Sequence, residues 1–416
     1  MSRLVRAPFL AVLRLYYPDR RVRGARPKEG PCIVVANHPN GLLDPVLIMI
    51  ALDQPMAFLA KSTIFEMPVI RGIATAFRAI PVYRAKEADP KKNAETFAQA
   101  RALLGRGGWL CLFPEGVSHS APTLQPLKTG AARIALGGPP GVRIVPVGLT
   151  YADKAIFRSA VSLSLGPALA VDAFRHHGGE HPDDVDALTQ AIDQALRAQL
   201  LEAETREVGE GFRVVAGWLA APGEDPRITE DRALLYARRW ATLAEPEREA
   251  LGSAARAFAA RLREVGVDEP WVLERGLPGP GRVLRAALPL VLLAPLALLG
   301  AVLGWVPYRS IRPLVAWATQ EEDLVSTYKL LAGVLLMPVW WLAQALLLGL
   351  YNPWLGLTAL LAGPLTGYVA LRWDERWQRR RTLGRAWWLL WSAAGVAEAV
   401  RQERATLAAR VQAALG

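Results

Sequence analysis

The chain has 416 residues, 52% of them apolar and 21% charged, with a formal net charge of +11. That length and apolar content suit one ordinary folded domain plus membrane segments, and the two cysteines, Cys32 and Cys111, form no metal or redox spacing and read as reduced core residues, not a disulfide. The basic excess is arginine beside apolar sequence, Arg3, Arg6, Arg14, Arg20, Arg21 and Arg23 early and Arg376, Arg379, Arg380 and Arg381 late, which suits anionic lipid; no basic and aromatic nucleic-acid module is recognisable, so no nucleic-acid partner is expected.

In chain order, residues 1–29 come first, with 3–17 reading as a basic amphipathic helix at a membrane interface that offers Leu4, Phe9, Leu10, Val12, Leu13 and Tyr17. A helix packed on the protein's own core has the same pattern. Arg14 interrupts the apolar stretch and no small-residue cleavage site follows, so a signal peptide is not expected. Over 30–170, strand-like runs near 31–36, 56–60, 79–83, 108–113, 143–149 and 160–165 alternate with helix-like stretches at 43–52, 93–105 and 129–136. This alternation predicts an α/β domain, a mixed sheet flanked by helices, with strand-end motifs gathered along one sheet edge.

Residues 171–282 read as a separate helical region, with Val185, Leu188, Ile192, Ala195, Leu196 and Leu200 at helical spacing and a Pro/Gly-rich close at 276–281. His176, His177 and His181 fall in a Gly-rich loop without ligand spacing and read as solvated side chains. Residues 283–372 form a hydrophobic membrane region: no charge occurs in the 23 residues 286–308 or the 42 residues 330–371, and a span needs about 20. The second stretch predicts a hairpin turning at Tyr351-Asn352-Pro353. The first, with Pro289, Pro295 and Pro307, spans or re-enters. Placing Arg309, Arg312, Arg372, Arg376 and Arg379 to Arg381 on the cytoplasmic, catalytic side favours a first segment that does not cross. Residues 373–416 read as a basic amphipathic helix, with Trp387, Trp388 and Trp391 beside Arg385, lying in the headgroup layer.

The chemistry sits at two strand ends. After Cys32-Ile33-Val34-Val35-Ala36 comes Asn37-His38-Pro39-Asn40-Gly41-Leu42-Leu43-Asp44, and after Trp109-Leu110-Cys111-Leu112 comes Phe113-Pro114-Glu115-Gly116. A carboxylate that holds an imidazole makes a general base near neutral pH; a histidine beside a helix whose first turn is capped by Asp44 has the same sequence. Glycine at 116 allows close backbone approach to a reacting oxygen, an oxyanion-type site. Lys61 and Lys128 stand near helix starts as cations for a phosphate, and Arg78 is a further one.

With Ala79-Ile80-Pro81-Val82-Tyr83-Arg84 and Ile144-Val145-Pro146-Val147-Gly148 in the same order, the chain resembles the glycerolipid acyltransferases. Five residues, not four, separate His38 from Asp44, and Val117-Ser118-His119 stands where many relatives have Thr-Arg-Ser. Both variants resemble the yeast-type glycerol-3-phosphate and dihydroxyacetone-phosphate acyltransferases and their bacterial relatives. The resemblance implies that His38 takes the proton of an acceptor hydroxyl, Asp44 orients the ring, Arg84 binds a phosphate, and Glu115 with Pro114 and Gly116 contributes to substrate binding. The cation that relatives carry at position 118 must come from another side chain.

The expectation is therefore an integral protein of the cytoplasmic membrane that transfers a fatty acyl group from acyl-CoA or acyl-carrier protein to the sn-1 hydroxyl of glycerol 3-phosphate, with membrane lipids as partners and no resident cofactor or metal. Acylation of lysophosphatidate at sn-2 is the alternative. Two rivals of other classes are a metal-dependent membrane hydrolase using His38, Asp44 and Glu115 as ligands and a non-catalytic lipid-binding protein.

Overall fold

A computed structural model describes residues 2–27, 30–66, 68–82, 90–203, 205–221, 223–275, 278–322 and 324–415. Two compact units emerge, the first formed by Met1–Glu204 with Val315–Leu330, the second by Thr205–Leu314 with Leu331–Gly416.

In the first unit the elements are α1 (Ser2–Tyr16), β1 (Arg20–Arg23), β2 (Cys32–Ala36), α2 (Leu43–Leu52), β3 (Ala57–Lys61), α3 (Pro68–Ala76), β4 (Ala79–Val82), α4 (Pro90–Gly105), β5 (Trp109–Leu112), α5 (Gly130–Leu136), β6 (Arg143–Tyr151), β7 (Val161–Leu165), β8 (Leu169–Ala170) and α6 (Pro182–Arg197). The sheet runs β1-β7-β6-β2-β5-β3-β4, with β8 beside β6. Pairing is parallel from β6 to β4, and antiparallel where β7 and β8 meet β6. The sheet is the mixed one expected, and all six expected strands form. β1 escapes a hydrophobic reading because Arg-Arg-Val-Arg has no apolar alternation; it is an edge strand whose pairing with β7 decides its conformation.

Side chains on β2 alternate between faces. Cys32, Val34 and Ala36 join α1 and α2 in one core, while Ile33 and Val35 join α4, α5 and α6 in the other. Burial on both faces is why the sequence shows a continuous apolar run here.

Three boundaries need correction. The helical region does not begin at 171, because α6 packs Val185, Leu188, Ile192 and Leu196 against the sheet, which moves the end of the α/β unit to about 204. The interfacial role expected of 1–29 fails for Leu10, Val12, Leu13 and Tyr17: Leu13 and Tyr17 are fully buried and Leu10 and Val12 pack against the same core. Their apolar stripe satisfies the protein's own sheet.

The second unit holds α7 (Arg206–Trp218), α8 (Pro226–Trp240), α9 (Glu245–Val265), α10 (Pro280–Ala318), α11 (Val325–Tyr351), α12 (Pro353–Ser392) and α13 (Ala394–Leu415), except that Val315–Leu330, the end of α10 and the start of α11, belong to the first unit. Three of these, α10, α11 and α12, are long and apolar enough to cross a membrane. A re-entrant first segment requires a chain reversal, yet α10 runs unbroken for 39 residues through four prolines. Pro307 removes the amide that would bond the Leu303 carbonyl, and that carbonyl instead accepts from Trp340 Nε1 (2.7 Å) and Gln344 Nε2 (3.0 Å) of α11. The expected turn at 351–353 is present, with Asn352 accepting the Trp354 amide at 2.9 Å.

The tail is the third correction. Residues 373–392 continue α12 without a break and leave Trp388 and Trp391 exposed, whereas α13 is no headgroup-layer helix: Val400, Leu407 and Val411 are buried, and Arg401 and Arg404 donate to the Leu273, Trp218 and Ala220 carbonyls.

Candidate active site

Parallel pairing brings the carboxyl ends of β2, β5, β3 and β6 to one edge of the sheet, so His38, Glu115, Lys61 and Tyr151 are delivered there together. His38 Nδ1 lies 2.9 Å from Asp44 Oδ2. Asp44 does not cap α2, contrary to the structural alternative. Its Oδ2 accepts the Asn40 amide at 2.7 Å as well, and its Oδ1 accepts the Tyr151 hydroxyl at 2.5 Å. Burial, and then the charge of Asp44, pushes the Tyr151 hydroxyl well above its ordinary pKa, so it remains a donor to the carboxylate. Asp44 is fully buried, whereas the His38 side chain is 18% exposed. Its ring stacks on Phe113 at 3.8 Å with planes 8° apart, and Nε2 has no hydrogen-bond partner among the described residues. Nδ1–H facing a carboxylate and Nε2 open to substrate is the tautomer a general base requires.

The Glu115 carboxylate is turned inward. Oε1 accepts the His38 amide at 3.1 Å; Oε2 accepts the Gln125 amide at 2.8 Å and faces His119 Nε2 at 2.5 Å. His119 Nδ1 accepts the Ala121 amide, so Nε2 carries the proton. Glu115 therefore joins the loop after β2 to the loop after β5; Pro114 is likewise buried, its carbonyl taken by the Lys128 amide. The Gly116 amide is no free oxyanion donor either, because it closes a turn onto the Phe113 carbonyl at 3.0 Å. The next amide, of Val117, makes no hydrogen bond among the described residues.

What Gly116 supplies is conformation and room. Its φ is +72°, and a Cβ there would meet Lys128 Nζ at 2.7 Å and Lys128 Cδ and Cε at 3.0 Å. The Lys128 ammonium thus lies over the motif glycine, with no ion pair or hydrogen bond among the described residues. Lys61, at the end of β3, is two strands from β2, about 10 Å along the edge and within reach of a long side chain. Arg84 lies outside the described residues, and Arg78 is exposed in a left-handed conformation. Gly116→Ala should strain the backbone by about 1–2 kcal/mol and displace Lys128. A rise in acceptor KM and a fall of several degrees in melting temperature are expected; an unchanged KM would remove Lys128 from the acceptor site.

Several working parts had no role assigned from the sequence. Asn37 brackets Leu149, accepting its amide at 2.7 Å and donating to its carbonyl at 3.0 Å, which pins the His38 loop to β6. Tyr151 and Lys154 are over a hundred residues from the loop they hold, and only the sheet's pairing finds them. Burial pushes the Cys32 thiol up to about 12 and that of Cys111 higher, so neither is a nucleophile. His177, His181 and Asp183, all exposed, could offer ligand atoms together, and the two imidazole rings stack at 4.3 Å. The buried Asp184 takes His177 Nδ1 at 2.9 Å, which ties down the loop before α6.

An α/β domain with an aspartate-held imidazole open at its sheet edge has the geometry to take a proton from a bound group. The family model described as Acyltransferase matches residues 19–150, and this segment is a domain of that family. Over 126 residues the chain is 31% identical to a chloroplastic 1-acyl-sn-glycerol-3-phosphate acyltransferase of Brassica napus, covering 30% of this chain and 35% of that protein. Over 92 residues it is 39% identical to glycerol-3-phosphate O-acyltransferase 2 of Saccharomyces cerevisiae, covering 21% and 12%. The matched stretches thus span well under two thirds of either relative. A crystal structure of the 1-acyl-sn-glycerophosphate acyltransferase of Thermotoga maritima aligns over 44% of this chain and 72% of that one, at 20% identity and a TM-score of 0.34.

Proposed function

We propose that this protein is a membrane-bound acyltransferase that moves a fatty acyl group from a thioester to the sn-1 hydroxyl of glycerol 3-phosphate, forming lysophosphatidate for phospholipid synthesis. The observation that carries the reading is the open Nε2 of His38 with Nδ1 held by Asp44. Nε2 takes the hydroxyl proton as the oxygen attacks the thioester carbonyl, and returns it to the departing thiolate when the tetrahedral adduct collapses. No acyl-enzyme forms, since holding both substrates in line suffices. Lys128 and Lys61 supply cations for the acceptor phosphate, with Arg84 as a third from the matching motif. Acyl-CoA or acyl-carrier protein is a co-substrate, and the reaction needs no resident metal or cofactor. The hydrolase rival finds less support, since both Asp44 oxygens and both Glu115 oxygens already take protein donors.

The sn-1 choice is supported by the Val117-Ser118-His119 loop and by the yeast relative; the Brassica relative favours lysophosphatidate as acceptor. Membranes carrying the protein, given acyl-CoA with labelled glycerol 3-phosphate or labelled lysophosphatidate in separate reactions, should form product from glycerol 3-phosphate. Product only from lysophosphatidate moves the acceptor to sn-2. The cytoplasmic membrane, with the catalytic unit on the cytoplasmic side, is the location that the arginines flanking the apolar helices favour when α10 enters the membrane without crossing it, as the bonds of Ser326 and Lys329 to the Lys154 and Ala155 carbonyls require.

A further inference from the structure

The loop joining β6 to β7, residues 152–160, faces two ways. Inward, Lys154 Nζ donates to the Pro39 carbonyl at 2.9 Å and to Ser120 Oγ at 2.6 Å, tying together the loops that carry His38 and Glu115. Outward, Ile156 is 57% exposed and Phe157 38%, next to the half-exposed Leu15 at the end of α1. The Phe157 ring meets that of Tyr16 edge-on at 5.2 Å, and Arg158 donates through its amide to the Tyr16 carbonyl at 2.8 Å and through Nη1 to the Leu15 carbonyl at 3.1 Å, so the loop is held against the end of α1.

The first turn of α11 is bonded to this same loop. Ser326 Oγ donates to the Lys154 carbonyl and Lys329 Nζ to the Ala155 carbonyl, the latter at 2.6 Å. Lys329 is the last charged residue before 42 uncharged ones. The point where the chain changes from charged to membrane-compatible is therefore fastened to the loop's backbone one residue before Ile156. An exposed apolar pair continuous with such a boundary faces lipid more readily than water.

We propose that loop 152–160 is a membrane-insertion loop: Ile156 and Phe157, with Leu15, enter the boundary between headgroups and acyl chains, and the exposed Arg14 meets anionic headgroups. The occupant of the patch is thus a lipid surface. Insertion does not depend on the acyltransferase reading, but its use does. It sets the mouth of the His38 site at the depth from which an acyl chain enters or leaves, and Lys154 transmits the loop's position to both catalytic loops.

The test uses the full chain in phosphatidylglycerol-containing liposomes, with an environment-sensitive fluorophore on Ile156→Cys, on Phe157→Cys as a second site, and on Ala187→Cys of α6 as an exposed control. The native thiols are buried and leave the introduced one to react. Fluorescence at 156 and 157 should shift to the blue and be quenched several-fold more than at 187 by lipids bearing a nitroxide on the acyl chain. Equal quenching at all three sites overturns the proposal. So does a blue shift at 156 that nitroxide lipids do not quench, which would indicate a protein partner or a second copy. Because the readout does not involve turnover, its failure is separate from failure of the acyltransferase reading.

Discussion

His38→Ala should lower acyl transfer by about three orders of magnitude, the upper part of the range for losing a positioned general base, and leave the protein in the membrane fraction. Nε2 is the atom that receives the proton, and no other described base is aligned at this edge: the Glu115 carboxylate is consumed by the amides of His38 and Gln125, and His119 spends both ring nitrogens on Glu115 and Ala121. Membrane retention follows because α10, α11 and α12 are separate from the His38 loop in sequence. Steady-state rates on equal amounts of membrane-extracted protein check both parts. Residual activity within tenfold of the native rate would end the assignment of His38 as base.

Asp44→Asn is expected to lower kcat by about 10²–10³ with both KM values little changed, the pattern for a group that acts on the base and not on the substrate. The carboxylate takes three donors, from His38, Asn40 and Tyr151. An amide there either turns its NH2 toward His38 and Asn40, which forces the imidazole into the wrong tautomer, or turns it toward Tyr151, whose hydroxyl rotates to accept. In both arrangements the negative charge that stabilises the imidazolium is lost. Tyr151→Phe keeps that charge and removes one bond, so its loss should be much the smaller. Equal losses in the two variants would mean that Asp44 acts through packing and not through charge.

The sequence made the catalytic loops legible because their chemistry is local. His38 and Asp44 lie in one turn after an apolar strand, and Phe113 to Gly116 follow another, so apolar runs and punctuation located both. Six strands and the apolar helices were readable for the same reason, since periodicity and charge-free length are properties of a contiguous segment. β1 was not, because Arg20 to Arg23 become a strand only through β7. The role of Glu115 was not readable either: a carboxylate that binds an acceptor and one that ties two loops together have the same one-letter code, and its partners His38 and Gln125 are 77 and 10 residues away.

By itself, then, the sequence determined the α/β pattern, the histidine–aspartate pair and the apolar helices, each set by residues close together along the chain. Tertiary structure alone decided that Tyr151 holds Asp44, that Lys128 lies over Gly116, that α6 belongs to the sheet and α13 to a helical core, and that the start of α11 is fastened to the loop of Ile156 and Phe157. Those relations depend on which distant segments pack together, and burial of apolar faces selects that packing from the whole chain at once.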